Sequence, residues 1–537
     1  MKSDVIIIGS GLGGLICAKL LAERGKRVTV LERHAVPGGC LQSYRRRGVS
    51  FDTGLHYVGG LAEGQRLHGI FERLGLMRLP WQRMDPQGFD LITIGGETFP
   101  FVEGYRNFAD TLSDRFPHER EALYKYVELM ERADRLPLGD PEVQTLCAIN
   151  ACDYLHESFH DELLINVLAG NALKTELRRE SLPLFHFLHA TSTFIGGGAW
   201  RLQGCGDDIV QLLVDDIKAH GGQVITGAQV EELIETDGLI TAARCTQAGN
   251  CHAGKRAPSE TYEADIFISD IHPQQTFALV KESKKLSRLF RRRIDMLENT
   301  CGMFTVSLVT HGIPYFNHNK YIYRRPNVWE IVGEASKLCS STVVGEASKL
   351  CSSTVVGEAS KLCSNFSIDR VMVSCMAKPP LRGEVGGGLV IDLLTPVPLS
   401  LFDSWNDSRV GRRPDDYRQL KKQLADECIA LAASVMPELQ SLEASPTTAQ
   451  SLEASPTIAQ SLEASPTIFT STPLTWRDYT LTPLGTAFGL RKDSRQPLLT
   501  ILSPRTPIAN LLLTGQNLML HGLEGVTMTA LQTCAKV

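Results

Sequence analysis

The sequence predicts an α/β fold built around a parallel sheet, and three stretches carry this prediction. At the start of the chain, the apolar run Val5–Ile8 is followed by glycines, an amphipathic segment and a second apolar run, Val28–Leu31. This order is that of a βαβ unit. The pattern returns over residues 207–269, and a further apolar strand is predicted at 510–513. Short apolar strands that alternate with helices favour a parallel sheet covered on both faces.

The glycine turn, residues 9–14, predicts a dinucleotide site. Gly9, Gly11 and Gly14 have the GxGxxG spacing directly after the first strand. Gly9 permits the tight turn, Gly11 lets a pyrophosphate approach backbone N–H groups, and Gly14 lets helix and strand pack closely. The helix N-terminus attracts the phosphates. Glu32 ends the second strand, where its carboxylate can accept hydrogen bonds from a ribose. A lone GxGxxG is weak evidence, but the complete order is specific.

Two more glycine-bearing segments indicate that the dinucleotide is FAD. Gly38 and Gly39 follow the ribose acid and place a second backbone without side chains near the cofactor. A nicotinamide dehydrogenase has no evident need for this pair, whereas an extended FAD does. The closing segment, Thr514–Val526, opens a last helix whose N-terminus can stabilise negative charge on a reduced flavin. One cofactor is therefore predicted to bridge the two ends of the chain.

Composition limits the classes of function. The 537 residues exceed one ordinary core, so two domains or a discontinuous pair are expected. A net charge of −5 gives no general reason to expect nucleic-acid binding. The 14 cysteines form no CxxC pair and no metal-ligand spacing, so reduced thiols and no metal are expected. A first strand close to residue 1, with no bilayer-length apolar run, predicts a cytoplasmic protein.

The chain is predicted to form two interleaved domains. Residues 1–70, 196–275 and 481–537 are assigned to a discontinuous cofactor domain. Residues 71–195 and 276–480 are assigned to a substrate domain, because the α/β pattern is interrupted in both ranges. Residues 63–195 are expected to be mainly helical, with a hairpin near residues 89–101.

Three further stretches of the substrate domain stand out. Tandem repeats occupy 332–367 and 441–470, and their periods of 12 and 10 residues are too short for the usual solenoids. They are expected to be loop insertions without function, since longer loops cost little free energy. The apolar run 182–188 is expected to pack in the core, and a pocket wall or a membrane-dipping segment are the alternatives.

Taken together, these motifs resemble the phytoene desaturase superfamily of flavoproteins. The likeness rests on the first forty residues with Gly38–Gly39, on the turn Gln203–Gly206 with its helix, and on Thr514–Val526. Within the superfamily, residues 51–57 and the Thr514–Gln516 ending resemble the retinol saturase branch, and carotenoid isomerases are close relatives. The resemblance implies a Rossmann-like FAD-binding domain of the p-hydroxybenzoate hydroxylase type, interleaved with an α+β substrate domain.

The resemblance also implies a set of site residues. The implied FAD contacts are Gly9, Gly11, Leu12, Gly13, Gly14, Glu32, Arg33, Gly38, Gly39, Ser43, Val230, Gly515, Gln516, Leu523, Gly525 and Val526. Among them Glu32 would hold the adenosine ribose, and Val230 would meet the adenine through its backbone. His56 is the candidate catalytic residue, because the family's pattern approaches the flavin ring there. A structural histidine is the alternative role for His56, and His521 has a similar claim.

The expected activity is that of an FAD-dependent oxidoreductase acting on C=C bonds of a polyene or isoprenoid lipid. Saturation, desaturation and isomerisation all stay open, with hydride passing through flavin N5. A flavin amine oxidase and a non-catalytic isoprenoid-lipid carrier on the same fold are the alternatives. Because such a substrate is insoluble, peripheral contact with the inner face of a membrane is expected through the helices at 155–195. The electron donor or acceptor is not predicted.

Overall fold

A computed structural model describes residues 2–46, 49–247, 259–310, 313–329, 366–376, 389–442 and 467–537. In chain order its strands are β1 (Ser3–Ile8), β2 (Val28–Leu31), β3 (Ser43–Arg46), β4 (Val49–Asp52), β5 (Val58–Gly59), β6 (Trp81–Arg83), β7 (Asp90–Ile94), β8 (Glu97–Phe101), β9 (Ala199–Leu202), β10 (Gln223–Ile225), β11 (Ala228–Thr236), β12 (Leu239–Gln247), β13 (Ser259–Ser269), β14 (Gly302–Thr310), β15 (Asn319–Tyr323), β16 (Arg370–Met376), β17 (Leu389–Val397), β18 (Thr467–Ser471) and β19 (Leu511–Leu513). Its helices are α1 (Leu12–Glu23), α2 (Arg66–Leu74), α3 (Tyr105–Arg115), α4 (Arg120–Arg135), α5 (Pro141–Cys147), α6 (Ala151–Ser158), α7 (Glu162–Ala169), α8 (Leu184–Gly197), α9 (Gly206–Ala219), α10 (Pro273–Leu279), α11 (Arg288–Asp295), α12 (Asp415–Ala433), α13 (Pro473–Thr480), α14 (Pro497–Thr500) and α15 (Gly522–Cys534).

The first large sheet has the order β10-β2-β1-β13-β12-β11, with β19 also paired to β13. Strands β10, β2, β1, β13 and β19 run parallel, whereas β11 and β12 add an antiparallel edge. All four residues of β2 and the last four of β1 are buried, as expected for central strands of a covered parallel sheet. Helix α1 is buried along Leu12–Ala22 because it packs between α9 and α15. The predicted α/β fold is confirmed.

The second large sheet has the order β18-β14-β17-β16-β15-β7-β8. Its pairs are antiparallel except for β15 with β7. Helix α12 packs against β16 and β17, and helices α3 to α8 enclose a separate apolar core with β7 and β8. A small sheet of order β5-β9-β6 joins the segment after β4 to the strand before α9.

The structure bears out most of the local expectations. Strands β7 and β8 are the predicted hairpin, and helices α2 to α8 make residues 63–195 mainly helical. The run 182–188 leads into α8 and is buried, so core packing is confirmed. Most of both tandem repeats lies outside the described residues. The end of the second repeat is an exception to the predicted loop, because Thr467–Ser471 pairs with β14 as strand β18.

The structure does not favour the predicted membrane contact through the helices at 155–195. Within this fully described range no large apolar side chain is exposed, because the helices turn their apolar faces into the core. Peripheral contact through these helices would therefore lack the apolar side chains that insert into a membrane. Among the described residues, no helix is both long and apolar enough to cross a membrane.

Candidate active site

A cavity of about 700 Å³ lies at the carboxyl edge of the first sheet and extends toward the second. Its walls come from the turn after β1, the ends of β2, β13 and β19, the segment 53–59, helix α8 and the start of α15. Ligands of open α/β sheets bind outside the carboxyl ends of the strands, where helix N-termini point. The sheet topology therefore brings the two ends of the chain to one site.

Three glycine-bearing segments touch one another at this edge. The backbone of Gly9 has φ +91°, which an L side chain rarely adopts. A Cβ on Gly39 would lie 3.1 Å from the Cα of Gly11, and a Cβ on Gly13 would lie 3.1 Å from the Cα of Gly515. Side chains at these positions would separate the segments. Their small size leaves backbone N–H groups at the N-terminus of α1 accessible to a phosphate.

One end of the cavity is formed around Glu32. Its Oε2 accepts hydrogen bonds from the Ser10 backbone N (3.0 Å) and Oγ (2.6 Å), and its Oε1 accepts one from the His34 backbone N (2.7 Å). These bonds fix the carboxylate at the end of β2. Arg33 and Val230 line the same end, and the Arg33 guanidinium donates to the carbonyl of Tyr479 (3.0 Å). This arrangement fits an adenosine.

Asp270 lies beneath the glycine turn, and the sequence motifs did not indicate it. A Cβ on Gly11 or on Gly13 would lie 2.5 Å from a carboxylate oxygen of Asp270. Burial raises the pKa of Asp270 to about 7, and Glu32 raises it further, whereas the N–H groups of Gly14 and Gly11 act in the opposite direction. In the sequence, the position of Asp270 directly after the buried strand β13 was the feature that could have identified it as a site residue. The carboxyl group therefore lies against N–H groups that a phosphate bound at this turn would also use.

The opposite part of the cavity begins at the N-terminus of α15. His521 precedes this helix, and its Nε2 donates to the backbone carbonyl of Lys174 (2.8 Å). Burial lowers the pKa of His521 to about 4, so the imidazole is neutral at pH 7. Glu524 also lines the cavity, and burial raises its pKa to about 8. The helix N-terminus faces the cavity as predicted for a site of developing negative charge.

The far part of the cavity, which we call the apolar end, is lined by Phe194, Met303, Met372, Leu394 and Phe488. Met303, Met372 and Leu394 belong to the central strands of the second sheet, and Phe194 belongs to α8. The cavity thus continues from the glycine turn into a compartment with apolar walls. A ligand with a long hydrocarbon chain fits such walls.

A buried polar network borders the apolar end. Asp90 is fully buried and accepts hydrogen bonds from the hydroxyl of Tyr57 (2.9 Å) and from the amides of Asn319 (2.9 Å) and Asn171 (3.3 Å). The Lys174 Nζ lies 3.7 Å from Asp90 Oδ2, beyond hydrogen-bond distance, and has no hydrogen-bond partner among the described residues. Burial lowers the pKa of Lys174 to about 8, and Asp90 opposes this shift.

His56, the candidate catalytic residue, lines the cavity in the segment between β4 and β5. Its Nδ1 is buried without a hydrogen-bond partner in the described chain and lies 4.0 Å from Asp392 Oδ2. Burial, with the charge of Arg201, lowers the pKa of His56 to about 4. The ring is therefore neutral at pH 7 and cannot serve there as a proton donor in the imidazolium form. Its catalytic role stays a prediction.

Most of the predicted cofactor contacts converge on this cavity. The lining residues include Gly9, Gly11, Leu12, Gly13, Glu32, Arg33, Gly38, Gly39, Val230, Gly515, Gln516, Leu523, Gly525 and Val526. Gly14 and Ser43 are not among them. A Cβ on Gly14 would overlap the carbonyl oxygen of Gly9, so this glycine lets α1 pack on β1. Ser43 instead donates from its Oγ to Asp52 Oδ1 (2.8 Å).

Among the described residues, no group of three or more His, Cys, Asp or Glu side chains is arranged to hold a metal ion. The fold and the glycine-walled cavity define a protein with a dinucleotide cofactor and a second, apolar compartment.

Comparison with known proteins narrows this class. Residues 7–74 match the family of NAD(P)-binding Rossmann-like domains. The all-trans-retinol 13,14-reductase of Danio rerio is 24% identical over 577 residues, which cover 99% of this chain and 85% of that protein. The chloroplastic prolycopene isomerase of Daucus carota is 33% identical over 331 residues, covering 56% of this chain and 52% of that protein.

The fold also matches a solved structure. A triple mutant of putrescine oxidase superposes with a TM-score of 0.60 at 13% identity, covering 99% of this chain and 98% of that chain. A likeness at this identity concerns the fold alone. The sequence relatives confirm the predicted resemblance to retinol saturases and carotenoid isomerases. The match to the retinol reductase extends over nearly the whole chain.

Proposed function

We propose that this protein is an FAD-dependent oxidoreductase that acts on C=C bonds of a polyene or isoprenoid lipid. One observation carries the proposal: a single cavity runs from the glycine turn to an apolar end, and the buried Lys174 ammonium lies in its lining. The first part suits a dinucleotide and the second suits a hydrocarbon chain. The relatives named for acting on retinol and prolycopene support the same substrate class.

The residues present fit FAD. When bound, this cofactor would supply a two-electron hydride acceptor and donor at its N5 atom. The glycine turn would hold the pyrophosphate through backbone N–H groups, Glu32 would hold the ribose, and Gly515 with Val526 would border the flavin ring. We keep the predicted division into cofactor and substrate domains as part of this proposal, since the first sheet is assembled from three separate chain segments.

The proposal is tested with purified protein reconstituted with FAD. Bound flavin is measured by absorbance, and the photoreduced protein is then incubated without oxygen with a panel of retinoids and carotenoids. Loss of polyene absorbance with reoxidation of the flavin indicates saturation, and a change in isomer composition without reoxidation indicates isomerisation. The oxidised protein with the saturated compounds tests desaturation. Absence of all three reactions, in protein that has bound FAD, would exclude the proposed chemistry for these substrates.

A flavin amine oxidase is the first alternative, since putrescine oxidase shares the fold. The cavity disfavours it, because the Lys174 Nζ lies 3.9 Å from the ring centroid of Phe194 and 5.2 Å from that of Tyr57. A cation already covers these aromatic faces and would repel a protonated amine. A screen of mono-, di- and polyamines for peroxide release decides this alternative, and release from any amine would favour it.

A non-catalytic lipid carrier is the second alternative. A carrier has no need for a glycine turn that opens onto a cavity, or for a charged lysine inside that cavity. Purified protein that stays colourless and cannot be reconstituted with FAD, yet binds a retinoid or carotenoid, would favour the carrier.

For peripheral membrane contact we propose a different surface from the helices at 155–195. This docking patch consists of Leu289, Arg292, Arg293 and Met296 on one face of α11 and just after it, with Leu498 and Leu499 on α14. The two parts adjoin, because the Arg293 guanidinium donates to the carbonyl of Leu498 (3.1 Å). Leu289 and Leu498 are each 79% exposed. Exposed leucines beside arginines are complementary to an anionic lipid surface.

The docking patch predicts a salt-dependent attachment to anionic vesicles. The variant Arg292→Glu/Arg293→Glu is expected to bind vesicles of phosphatidylcholine with phosphatidylserine at least about tenfold more weakly, since each arginine contributes about 1 kcal/mol. The variant Arg106→Glu/Lys125→Glu makes the same charge change on exposed residues of α3 and α4 and should bind as the unmodified protein does. Flotation measures both, and equal flotation of the two variants would contradict the assignment.

A further inference from the structure

Lys174 occupies an unusual place in the cavity. Its ammonium is buried, has no hydrogen-bond partner among the described residues, and lies over the ring of Phe194. Burying an ammonium without hydrogen bonds is strongly unfavourable. Asp90 offsets part of this cost at 3.7 Å, but its carboxylate already accepts bonds from Tyr57, Asn319 and Asn171. The lysine is therefore held in the cavity with donors that remain free for a ligand.

Two stretches that border the predicted flavin position both contact Lys174. From the N-terminus of α15, His521 donates to the backbone carbonyl of Lys174. From the segment 53–59, the ring of Tyr57 lies under the ammonium at 5.2 Å. Lys174 is thus placed where the flavin part of the cavity meets the apolar end. A substrate double bond that faces the flavin from the apolar end would lie beside this side chain.

We propose that Lys174 is the proton donor to the substrate carbon, an inference that rests on the proposed function. In the saturating direction, bound reduced FAD would supply hydride to one carbon of a C=C bond, and the Lys174 Nζ would give a proton to the neighbouring carbon. The π bond would break and two C–H bonds would form, so the substrate would gain two electrons and the cofactor would lose two. The neutral amine regains its proton from water after product release. The reverse direction uses the neutral amine as the base.

The surroundings of Lys174 suit this role. A donor is most effective when its pKa lies near the working pH, and burial brings the pKa of this lysine to about 8. The charged and titratable groups around it include Asp90 on β7, Tyr57, Tyr321 on β15 and His521. Helix α8 adds His186 and His189 to the same cavity, and burial lowers the pKa of both imidazoles, so neither titrates near pH 8. Tyr321 shares a hydrogen bond with the Tyr57 hydroxyl (2.7 Å). Burial raises the pKa of both tyrosines well above their usual value, so neither titrates near pH 8.

Glu524 needs a separate control. It lines the same cavity and its pKa is also raised to about 8 by burial. A fall in the rate of polyene reduction above pH 8 would be expected from the loss of a proton at either residue. The two are separated by Lys174→Met, expected to abolish this fall, and Glu524→Gln, expected to retain it. The opposite pair of results would assign the proton to Glu524 and overturn the proposal.

The decisive measurements compare Lys174→Met with the unmodified protein. FAD affinity by flavin fluorescence and polyene affinity by absorbance change in the oxidised protein are expected to stay within about threefold. The single-turnover rate of polyene reduction is expected to fall by about 10²- to 10⁴-fold. A tenfold loss of polyene affinity with an unchanged rate would show an anchoring group instead, and would overturn the proposal.

Rescue of the reaction rate by an added amine distinguishes a proton donor from a residue with only a structural role. In Lys174→Ala, added ethylamine is expected to restore part of the lost rate in proportion to its protonated fraction, whereas ethanol of similar size is expected to restore none. Equal rescue by both would show that only space was lost and would overturn the proposal. Failure of the proposed function is distinguishable, because the unmodified protein would then leave every polyene unchanged while its FAD was bound.

Discussion

The cavity is walled by backbone near the glycine turn and by side chains at the apolar end. In the first part, Gly11, Gly13, Gly39 and Gly515 approach within contact distance, and the ligand-facing groups are N–H groups. In the second part, Phe194, Met303, Met372 and Leu394 come from a helix and three separate strands. Backbone contacts depend on the conformation of a short segment, whereas the apolar walls depend on the packing of the whole second sheet.

The glycine turn and the apolar end can therefore recognise different features of a ligand. Phosphate groups are the same in every dinucleotide, so a wall of N–H groups fixes the position of the cofactor without selecting the substrate. Under the proposed function, the apolar end would determine which lipid enters and how it is oriented. Variation there changes specificity, while variation in the glycine turn changes cofactor affinity. The two parts can therefore be damaged separately, and three predictions use this separation.

The largest expected effect is on the free energy of unfolding, for a substitution in the polar network that borders the apolar end. Asp90→Leu removes the acceptor shared by Tyr57, Asn319 and Asn171 and leaves the Lys174 ammonium without its nearest opposite charge. Breaking a buried pair in this way is expected to lower the free energy of unfolding by about 3–5 kcal/mol. Urea denaturation followed by tryptophan fluorescence measures the change.

The controls for Asp90 test whether the charge is the cause. Asp114→Leu, at an exposed position of α3, should stay within about 0.5 kcal/mol of the unmodified protein. The double variant Asp90→Leu/Lys174→Met removes both charges and should lose less than the sum of the two single variants. Additive losses would contradict a coupled pair. FAD affinity in dilute buffer should stay within about threefold, since Asp90 lies away from the glycine segments.

A smaller loss of unfolding free energy is expected for a substitution in the glycine turn. Gly14→Ala places a methyl group against the carbonyl oxygen of Gly9, and backbone cannot move aside as a side chain tip can. Such overpacking is expected to lower the free energy of unfolding by about 1–3 kcal/mol and to weaken FAD binding at the same time. Gly69→Ala is the matched control, because a Cβ there meets open space inside α2. That control should stabilise the protein by about 0.5–1 kcal/mol, and equal behaviour of the two variants would contradict close packing at Gly14.

The glycine turn is formed by neighbouring residues and the apolar end by distant ones, and this explains which residues the sequence could predict. The glycine turn, Glu32 and the strands around them are contiguous, so their order and spacing predicted the dinucleotide-binding unit. The other predicted cofactor contacts came from the resemblance, and most of them line the cavity. Ser43 was assigned by resemblance, and the structure pairs it with Asp52 instead of the cavity. Met303 and Met372 sit in strands whose apolar pattern is that of any core, so nothing local marked them as cavity walls.

Lys174 and Asp270 show a different limit of prediction from sequence, because contacts between distant residues define their roles. Lys174 follows a helical run and looks like an ordinary surface lysine in sequence, and only the contacts with Asp90, Tyr57 and Phe194 reveal its burial. These contacts join residues that are far apart along the chain, so no spacing rule could have found them. Asp270 follows directly after a predicted strand, and its position was therefore readable, but its approach to Gly11 and Gly13 was not.

The smallest effect is expected at Asp270, and it concerns the pH dependence of FAD binding. The pKa of this carboxyl is about 7 in the protein, and a pyrophosphate nearby would disfavour its charged form further. Binding of FAD then takes up a proton, so affinity should fall as pH rises above 7, by up to about tenfold per pH unit. Asp270→Asn should bind FAD with little pH dependence and about tenfold more tightly at pH 8.

Folding stability gives an independent check with a definite sign. Because the pKa of Asp270 is raised in the folded chain, the folded state holds this proton more tightly than the unfolded state does. The carboxyl therefore lowers stability progressively as pH rises from about 4 to about 7, and the loss is complete above that range. Without FAD, Asp270→Asn should consequently gain more free energy of unfolding at pH 8 than at pH 5. Asp265→Asn, an exposed carboxylate on the same strand, should show neither this gain nor the change in FAD binding. A pH profile of Asp270→Asn that follows the unmodified protein would place the titrating group elsewhere in the cavity.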